Sequence, residues 1–510
     1  MQTISQSSDG FFHPENEEQI AELIHYANQN GLKVRVRGAA HSVEKAIFTD
    51  NFRKSWRKSQ DINIMLDKMR QVKFHGDRLV TVQAGCNLGV DPSDPTKSSN
   101  LENSLFYQLD KYNLAFPSTG GIKHQTVGGF LSTGSSGGSM SHSVLDHMIS
   151  LRFIDGKGEI HEVSKTVDQE KFYAVGVSMG LLGVITSVTF ELPDEYHVMG
   201  QERTTGLQDC AVDLFGNGTG ERPGLEKFLR ETEYARILWW PQQGVNKVTV
   251  WQAHRMAEKD YSKRTGSKSN FKENPYQLFP KILGSDMPVQ ILTGIFYRMV
   301  KHWNKSGLLG GITRQGLKLT LSPVINLFAS TAGQEGFQEF WDIWWRVLPM
   351  DDRLNDRWVP FEFTEVWLPI DKTTEIMHRL KELFERKGIK ATGVYPCEIY
   401  AKQSNDFWMS PGYQRDSLRF NFFWFKKNPD DPAQTYYPQF WQLFEDLDFR
   451  LHWGKYLPSD PSWIKYLQAR YPRWNDFMRL REQMDPNQIF VTQYWRKHLA
   501  IEPVQELSYV

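Results

Sequence analysis

Residues 128–138 read GGFLSTGSSGG, and an earlier stretch at residues 37–42 reads RGAAHS. Glycine lets the backbone approach a ligand closely or take a positive φ, so successive N–H groups can point at one anion, and serine and threonine hydroxyls add further donors. Neither stretch fits the dinucleotide fingerprint G-x-G-x-x-G or the triphosphate-binding pattern G-x-x-x-x-G-K-[ST]. Together the two stretches predict a phosphate cradle of a different kind.

The segment before RGAAHS predicts a helix followed by a strand. Asn16 and Gln19 form a capping box, and apolar residues recur at helical spacing until Gly31. Residues 33–37 then alternate, with the valines expected to face inward and the basic residues outward. This strand runs directly into RGAAHS.

Short strands and helices surround the second stretch. A glycine-rich turn at residues 155–158 predicts a hairpin, and a strand that follows Gly183 ends near Leu192, close to the expected end of the first domain. Further strands are predicted at residues 62–66, 79–83, 149–154 and 159–163, and a helix at residues 101–112.

Composition excludes several classes of protein. The chain has 510 residues, 40% hydrophobic and 24% charged, with 60 Lys+Arg against 60 Asp+Glu. This balance predicts a globular protein with more than one core and excludes a disordered chain, a disulfide-stapled mini-protein and a collagen-like repeat. A nucleic-acid partner is not expected, because the chain has no overall basic excess.

Cysteine usage and hydropathy predict a cytoplasmic protein. Cys86, Cys210 and Cys397 lie far apart without CxxC spacing, which argues against a disulfide framework and a metal site. The polar N-terminus has no apolar signal core, and no apolar run approaches the roughly 18 residues of a membrane-spanning helix.

The middle of the chain is rich in tryptophan and locally basic between residues 258 and 318. Within it, residues 289–300 are apolar with aromatic and basic flanks. Two interpretations stay open: an interfacial helix or lid that gives peripheral membrane contact through residues 279–303, or an ordinary core helix in an insertion.

The order of four motifs is more specific than any one of them. RGAAHS, the 128–138 stretch, GVIT at residues 183–186 and HWGK at residues 452–455 follow one another. In this order the chain resembles the vanillyl-alcohol-oxidase-type (PCMH-type) FAD-linked oxidases, and within them the sugar-1,4-lactone oxidase and alditol oxidase branch. The resemblance is strongest over residues 11–195 and clear again over residues 446–499.

The resemblance implies an α+β fold with three parts. Residues 1–195 would form a two-subdomain FAD-binding domain. Residues 196–445 would form a substrate or cap domain with an antiparallel sheet flanked by helices. Residues 446–510 would return to the FAD-binding domain and complete the active site.

FAD is the cofactor that the resemblance implies. In that family the histidine of the first glycine loop is covalently bonded to FAD, which assigns this role to His41, and glycine often stands where this chain has Ala40. Attachment would raise the flavin reduction potential and prevent dissociation. The residues expected to bind FAD are Arg37, Gly38, Ala39, Ala40, His41, Ser42, Gly120, Gly121, Thr126, Gly128, Gly129, Ser132, Thr133, Gly134, Ser135, Gly137, Gly138, Gly183, Val184, Ile185 and Trp453.

The resemblance also assigns an oxygen path and three catalytic residues. Gly120 and Gly121 stand where relatives keep small residues beside the oxygen-reactive flavin carbon, which favours dioxygen as the electron acceptor. Lys455 would stabilise negative charge that develops during the reaction. Glu398 matches a family glutamate that hydrogen-bonds the reacting hydroxyl, and Glu365 is expected to be a second such carboxylate.

One departure from the family pattern concerns the substrate. Sugar and polyol oxidases usually place an arginine two residues after that glutamate, where this chain has Tyr400. A guanidinium offers several fixed donors, so its absence weakens the expectation of a polyhydroxylated or lactone substrate. Two functions stay open. One is an oxidase that takes hydride from a CH–OH group of an alditol, sugar lactone or other alcohol and gives H2O2. The other is a flavin-dependent dehydrogenase or reductase acting on an apolar, sterol-like substrate.

Overall fold

Three β-sheets organise the computed structural model, which describes residues 4–52, 59–257, 259–260, 272–329 and 336–504. The strands are β1 Val34–Arg37, β2 Ile62–Met65, β3 Val72–Phe74, β4 Leu79–Gln83, β5 Met148–Ile154, β6 Ile160–Ser164, β7 Val184–Glu191, β8 His197–Gly206, β9 Tyr234–Trp240, β10 Lys247–Arg255, β11 Phe337–Ile343, β12 Phe361–Pro369, β13 Cys397–Lys402, β14 Ser417–Phe425 and β15 Arg450–Leu451.

Helices connect and cover these sheets. The α-helices with described bounds are α1 Glu17–Asn30, α2 Glu44–Ile47, α3 Leu105–Lys111, α4 Val127–Ser132, α5 Gln169–Val175, α6 Leu225–Glu231, α7 Met287–Val300, α8 Gly307–Ala329, α9 Trp344–Val347, α10 Thr373–Lys387, α11 Ile389–Thr392, α12 Pro432–Thr435, α13 Pro438–Leu443, α14 Pro461–Arg470, α15 Trp474–Met484 and α16 Gln493–Leu499.

The N-terminal part contains two of the sheets. The side chain of Asn16 accepts the Gln19 N–H at 3.0 Å at the start of α1, and Gly31 ends the helix with a φ of 63°, as the capping pattern predicts. Strand β1 pairs in parallel with β2. The five-stranded sheet has the order β3-β4-β7-β5-β6 and is antiparallel throughout. The α+β fold class is confirmed.

Arg35 does not face outward as the alternation in β1 predicts. Its side chain is buried, and its guanidinium donates to backbone carbonyl oxygens. These acceptors offset the cost of removing the charge from water, and burial lowers the pKa of Arg35 to about 10. The carbonyl oxygens belong to Ala46, Met179, Gly180 and Phe490.

The helix predicted from residue 101 begins only at Leu105. The preceding residues form turns, in which Ser104 Oγ donates to the Leu101 carbonyl at 2.7 Å. Asn100 and Asn103 also bond each other's backbone N–H through their side chains. Such local side-chain bonds compete with the helix, so the periodic segment starts later than its apolar spacing predicts.

An eight-stranded sheet forms the middle of the molecule, with the order β11-β8-β10-β9-β13-β14-β12-β15. All of its pairs are antiparallel. Residues of one face follow from the register: Glu365 lies opposite Asn421, which lies opposite Glu398, which lies opposite Leu238. This sheet, called the cap sheet below, therefore presents acidic and amide side chains side by side.

The C-terminal residues connect the cap sheet with the N-terminal part. Strand β15 is the edge strand of the cap sheet beside β12. Further along, the Ile489 carbonyl accepts the N–H of Val34 in β1 at 2.8 Å, and Trp495 Nε1 donates to the Ala46 carbonyl at 2.9 Å. The last part of the chain is thus bonded to the first strand.

Helices α7 and α8 pack against each other beside the cap sheet. Within the described ranges, no helix combines the length and the apolarity that crossing a bilayer requires.

Candidate active site

The two glycine-rich stretches meet around one cavity of about 120 Å³, called the loop cavity. A side chain at Gly38 would approach Thr126 Oγ1 to 2.5 Å, so glycine brings the first loop directly against the start of α4. Fifteen of the predicted cofactor residues line this cavity: Arg37, Gly38, Ala39, Ala40, His41, Ser42, Thr126, Gly128, Gly129, Ser132, Thr133, Gly183, Val184, Ile185 and Trp453.

The other six predicted cofactor residues lie outside the loop cavity. Gly120, Gly121 and Ser135 line a neighbouring cavity. Gly134, Gly137 and Gly138 line neither of these two cavities. A side chain at Gly137 would meet the Thr119 carbonyl oxygen at 2.1 Å, and one at Gly138 would meet the Ala235 carbonyl oxygen at 2.2 Å. The structure thus uses these two glycines for close packing of the loop against other backbone.

His41 lines both the loop cavity and the neighbouring cavity. Its Nε2 is buried and has no hydrogen-bond partner among the described residues. Burial, together with the neighbouring charges of His124, Lys455 and Arg37, lowers the pKa of His41 to about 3. The imidazole is therefore neutral near pH 7, and an unpaired neutral nitrogen fits a site completed by a cofactor.

His124 is the nearest aromatic neighbour of His41, with ring centroids 5.4 Å apart. Its Nε2 lies 3.0 Å from Asp352 Oδ1. Burial opposes a charge on His124, but the bond to Asp352 outweighs burial and raises the pKa of His124. This pair places a second, more basic histidine beside the neutral one.

The neighbouring cavity has a volume of about 450 Å³ and is called the sheet cavity. The cap sheet lines one side of it, and RGAAHS and the 120–125 segment line the other. The three predicted catalytic residues, Lys455, Glu398 and Glu365, all line it. The two cavities share Ala40, His41, Ser42, Gln125 and Gly454.

Glu398 is buried and accepts two hydrogen bonds. Tyr400 Oη donates to Oε1 at 2.6 Å, and Asn421 Nδ2 donates to Oε2 at 2.7 Å. Burial and the nearby carboxylate of Asp351 raise the pKa of Glu398, against the opposing charge of Arg236. A carboxylate with a raised pKa is a better proton acceptor than an ordinary glutamate.

Glu365 has the opposite electrostatic environment. Burial alone would raise its pKa, but Arg419, His452 and Lys455 together lower it. Arg419 Nη1 lies 3.7 Å from Glu365 Oε1, which also accepts the indole N–H of Trp367 at 2.8 Å. The pKa values of Glu398 and Glu365 are therefore shifted in opposite directions, which is typical of an acid–base site.

Lys455 lies with its Nζ 4.1 Å from the centroid of the Phe363 ring. Burial lowers the pKa of Lys455, while Glu365 and Glu362 oppose that effect. His452 precedes it in the HWGK motif. The Nδ1 of His452 accepts the Gly454 N–H at 3.1 Å, and burial lowers its pKa to about 4. Neutral His452 therefore shapes the turn that carries Lys455.

Arg419 is a site residue that sequence analysis missed. It lies directly opposite Tyr400 in the β13–β14 pair, and its guanidinium carbon is 4.3 Å from the Tyr400 ring centroid. Nη1 donates to the Ser136 carbonyl at 2.9 Å. The guanidinium expected at position 400 is thus present in the sheet cavity, supplied by the neighbouring strand. Its sequence signal is the polar alternation of Arg419 and Asn421 within the apolar β14.

Arg236 and Asp351 were missed as well. Arg236 Nη1 lies 2.7 Å from Asp351 Oδ1 and 3.6 Å from Glu398 Oε1. Arg236 is buried, and the Asp351 N–H donates to the Gly121 carbonyl at 2.7 Å. This ion pair connects the glycine turn at residues 120–121 with the buried carboxylate of Glu398.

Two family profiles match the chain. The FAD binding domain matches residues 8–90 and 101–164, and D-arabinono-1,4-lactone oxidase matches residues 327–498. L-gulonolactone oxidase of Bos taurus is 25% identical over 495 residues, which cover 96% of this chain and 94% of that protein. L-gulono-1,4-lactone dehydrogenase of Mycobacterium tuberculosis is 22% identical over 499 residues, which cover 96% and 95%.

Solved structures show the same fold. Cholesterol oxidase from B. sterolicum superimposes with a TM-score of 0.66 at 14% identity, covering 96% of this chain and 94% of that one. Chitooligosaccharide oxidase superimposes with a TM-score of 0.60 at 14% identity, covering 97% and 92%. Together with the two adjoining cavities, the family profiles and the full-length relatives identify the chain as an FAD-dependent oxidoreductase that resembles the vanillyl-alcohol-oxidase-type oxidases and is similar to their sugar-1,4-lactone oxidase branch.

Proposed function

We propose that this enzyme oxidises a CH–OH group of a sugar lactone or a related polyol, with dioxygen as acceptor and H2O2 as product. The observation that carries the proposal is the convergence of Glu398, Glu365, Arg419 and Lys455 on the sheet cavity, which opens at His41 into the loop cavity. Charged donors and acceptors on several sides suit a substrate with several oxygen atoms.

The residues of the sheet cavity have different roles in the proposed reaction. Glu398 takes the proton of the reacting hydroxyl, because its pKa is raised and both of its oxygens are held by hydrogen bonds. Lys455 and Arg419 stabilise the negative charge that develops on the substrate oxygen. Glu365 stays ionised and orients Arg419 from 3.7 Å.

The residues that line the loop cavity and the adjoining sheet cavity would hold FAD, which when bound would supply the two-electron acceptor for the hydride that leaves the substrate carbon. We propose that it is attached covalently through His41, since the Nε2 of this residue is buried, neutral and unpaired among the described residues. The attachment is tested by acid denaturation, after which yellow colour should remain with the polypeptide. His41→Ala should release the colour into the supernatant, whereas the neighbouring His124→Ala should retain it. Colour that stays with the His41→Ala chain would place the bond elsewhere.

Substrate and acceptor are tested by a peroxide-coupled assay with L-gulono-1,4-lactone, xylitol and cholesterol. We expect peroxide with the lactone or the polyol. A sterol-like substrate, the second candidate, offers one hydroxyl and would place apolar atoms against most of the charged groups that line the sheet cavity, which is unfavourable. Turnover of cholesterol alone, or turnover only with an artificial dye in place of dioxygen, would overturn the proposal.

We further propose a cytoplasmic enzyme with peripheral membrane contact through residues 279–303. The three cysteines are buried and free, which suits a reducing compartment. Six large apolar side chains within residues 279–303 are exposed, which supports contact with a lipid surface. They are Ile282, Leu283, Met287, Leu292, Ile295 and Met299.

A further inference from the structure

A third cavity lies beside the sheet cavity, between the cap sheet and helix α7. Its volume is about 140 Å³, and it is called the side chamber. Most of its lining is aromatic or aliphatic. These apolar residues are Leu238, Trp240, Tyr276, Leu278, Phe279, Tyr297, Leu354, Val359, Phe361, Tyr395, Pro396 and Phe423.

The side chamber adjoins the sheet cavity. Five residues line both: Asp351, Leu354, Phe361, Glu398 and Phe423. Glu398, assigned above as the proton acceptor, therefore borders both spaces. A molecule bound at Glu398 can extend one of its substituents into the side chamber.

One face of the cap sheet carries both charged and apolar side chains. Glu398 in β13 lies opposite Leu238 in β9, so both side chains are on the same face. Toward β14 and β12 this face continues with Asn421 and Glu365, whereas along β9 it continues from Leu238 to Trp240. In the other direction along β9 the face carries Arg236, and beyond Leu238 it continues with Thr249, so Leu238 and Trp240 form an apolar area bordered by charged and polar residues.

Two buried polar atoms in the chamber walls have no partner among the described residues. They are Tyr395 Oη and Trp240 Nε1. Tyr395 is held in place by stacking on Tyr297, with ring centroids 4.3 Å apart. Because buried donors are normally paired, a ligand in the chamber with an acceptor oxygen beside either side chain would satisfy that donor.

We propose that the side chamber is a subsite for an apolar substituent of the substrate, such as a short acyl or alkyl chain. This inference rests on the proposed function only in placing the oxidised CH–OH group in the sheet cavity. A volume of 140 Å³ equals that of about four or five water molecules, so the chamber accepts a chain of similar size. The substrate is then an amphiphilic lactone or polyol, with its hydroxyls at the charged end and its chain at the aromatic end.

Helix α7 separates the chamber from the outer surface. Thr293 and Tyr297 line the chamber, while Leu292, Ile295 and Met299 are exposed on the opposite side of the same helix. An amphiphilic ligand delivered at an apolar surface would therefore find the chamber one helix away. This arrangement favours an acyl or alkyl chain over a compact polar group as the occupant.

The subsite is tested by calorimetry on the dithionite-reduced holoenzyme, which cannot turn over, so that binding is measured independently of activity. The probes are L-gulono-1,4-lactone and its 6-O-butanoyl, 6-O-hexanoyl and 6-O-octanoyl esters. We expect affinity to rise about fourfold for each methylene that enters the chamber, and to level off once the chamber is full. Equal affinity across the series would overturn the subsite, even if the parent lactone is a good substrate.

Leu238→Trp should fill the chamber, since Leu238 lines it without lining the sheet cavity. We expect this variant to bind the parent lactone normally and to lose the gain from chain length. The milder Leu238→Phe should shorten the favoured chain, which keeps the test valid if the tryptophan variant does not fold. Ile295→Trp on the outer side of α7 is the matched control and should behave as the wild type. If a folded Leu238→Trp or Leu238→Phe variant shows the same rise of affinity with chain length as the wild type, the proposal is contradicted.

Discussion

Ala40 has a φ of 61°, in the left-handed region that favours glycine. The alanine side chain costs about 1–2 kcal/mol in that conformation. Glycine avoids this strain, but its greater freedom in the unfolded chain lowers the free energy of unfolding by about 0.4–1 kcal/mol. We therefore expect Ala40→Gly to raise the free energy of unfolding by roughly 0.5–1 kcal/mol, measured by urea denaturation. Ala39→Gly is the control, because Ala39 has no positive φ. Ala39→Gly should lower the free energy of unfolding. Equal effects of the two substitutions would show that the backbone at Ala40 is not strained.

Gly120 can accept a methyl group, but Gly121 cannot. The nearest atom to a side chain at Gly120 would be Gln125 Oε1 at 3.5 Å, whereas at Gly121 it would be Asp351 Oδ2 at 2.6 Å. If Gly120 opens a path for dioxygen, Gly120→Ala should slow reoxidation of the reduced enzyme about tenfold, equal to about 1.4 kcal/mol of barrier. Anaerobic reduction by substrate should not change. Stopped-flow absorbance separates the two half-reactions, and equal slowing of both would indicate a disturbed site instead.

The proposed roles of Glu398 as the base and of Lys455 as a charged stabilising group predict a bell-shaped pH profile. Glu398 acts as a base in its deprotonated form, and its raised pKa moves the acid limb of kcat/KM above the ordinary glutamate value. Lys455 acts in its charged form, and its lowered pKa moves the alkaline limb below the ordinary lysine value. Activity should therefore rise with pH through the first pKa and fall through the second. In Glu398→Gln the acid limb should disappear along with most of the activity; an unchanged limb would assign it to another group.

At the scale of strands, local sequence patterns predicted where some site residues stand in the chain but not which residues they contact across the sheet. The place of Lys455 at the sheet cavity could be predicted because HWGK lies where the family resemblance is clear, whereas that of Glu398 rested on its match to a single family glutamate. Arg419 was not predictable, because it reaches Tyr400 only through the register of two strands joined by 14 residues of connecting chain. The burial of Arg35 was missed for a related reason, since the carbonyls that accept its hydrogen bonds come from distant segments.

The pairing of β13 with β14 predicts that the guanidinium and the phenol can be exchanged. Arg419→Tyr should lower kcat/KM by about 10- to 100-fold, the effect of losing a charge-assisted hydrogen bond. Tyr400→Arg alone brings two cations together and should also impair the enzyme. The double variant Tyr400→Arg/Arg419→Tyr returns one guanidinium to the sheet cavity and should recover most of the loss in steady-state assays. A double variant no better than Arg419→Tyr would show that the position of the cation, not its presence, is what matters.

At the scale of the whole molecule, the first and last segments complete each other. The N–H of Val34 bonds the carbonyl of Ile489, and Lys33 Nζ donates to the Gln488 carbonyl at 2.8 Å. Periodicity within a segment carries no information about contacts between residues more than 450 positions apart. Only the order of the four motifs pointed to this return of the chain, and the sizes of the cavities that it closes had no signal in the sequence.

The α7–α8 pair gives the molecule one strongly apolar and basic side. Ten of the sixteen large apolar side chains exposed in the described ranges lie between residues 282 and 319. Residues 287–329 contain five Lys or Arg and no Asp or Glu, so the proposed membrane contact would include attraction to anionic lipid. The charge and the apolar area should act together in binding a bilayer.

The enzyme should therefore sediment with vesicles of phosphatidylcholine and phosphatidylserine, and more weakly with phosphatidylcholine alone or at high salt. Replacing Leu292, Ile295 and Met299 together by glutamine removes apolar area from α7. This change should weaken binding about tenfold or more, since each side chain contributes on the order of 1 kcal/mol when partly buried in lipid. The matched control replaces Tyr112, Ile160 and Val167, which are equally exposed but lie elsewhere in the chain, by glutamine. Equal loss in both triple variants, or no dependence on phosphatidylserine, would show that α7 is not the membrane-contacting surface.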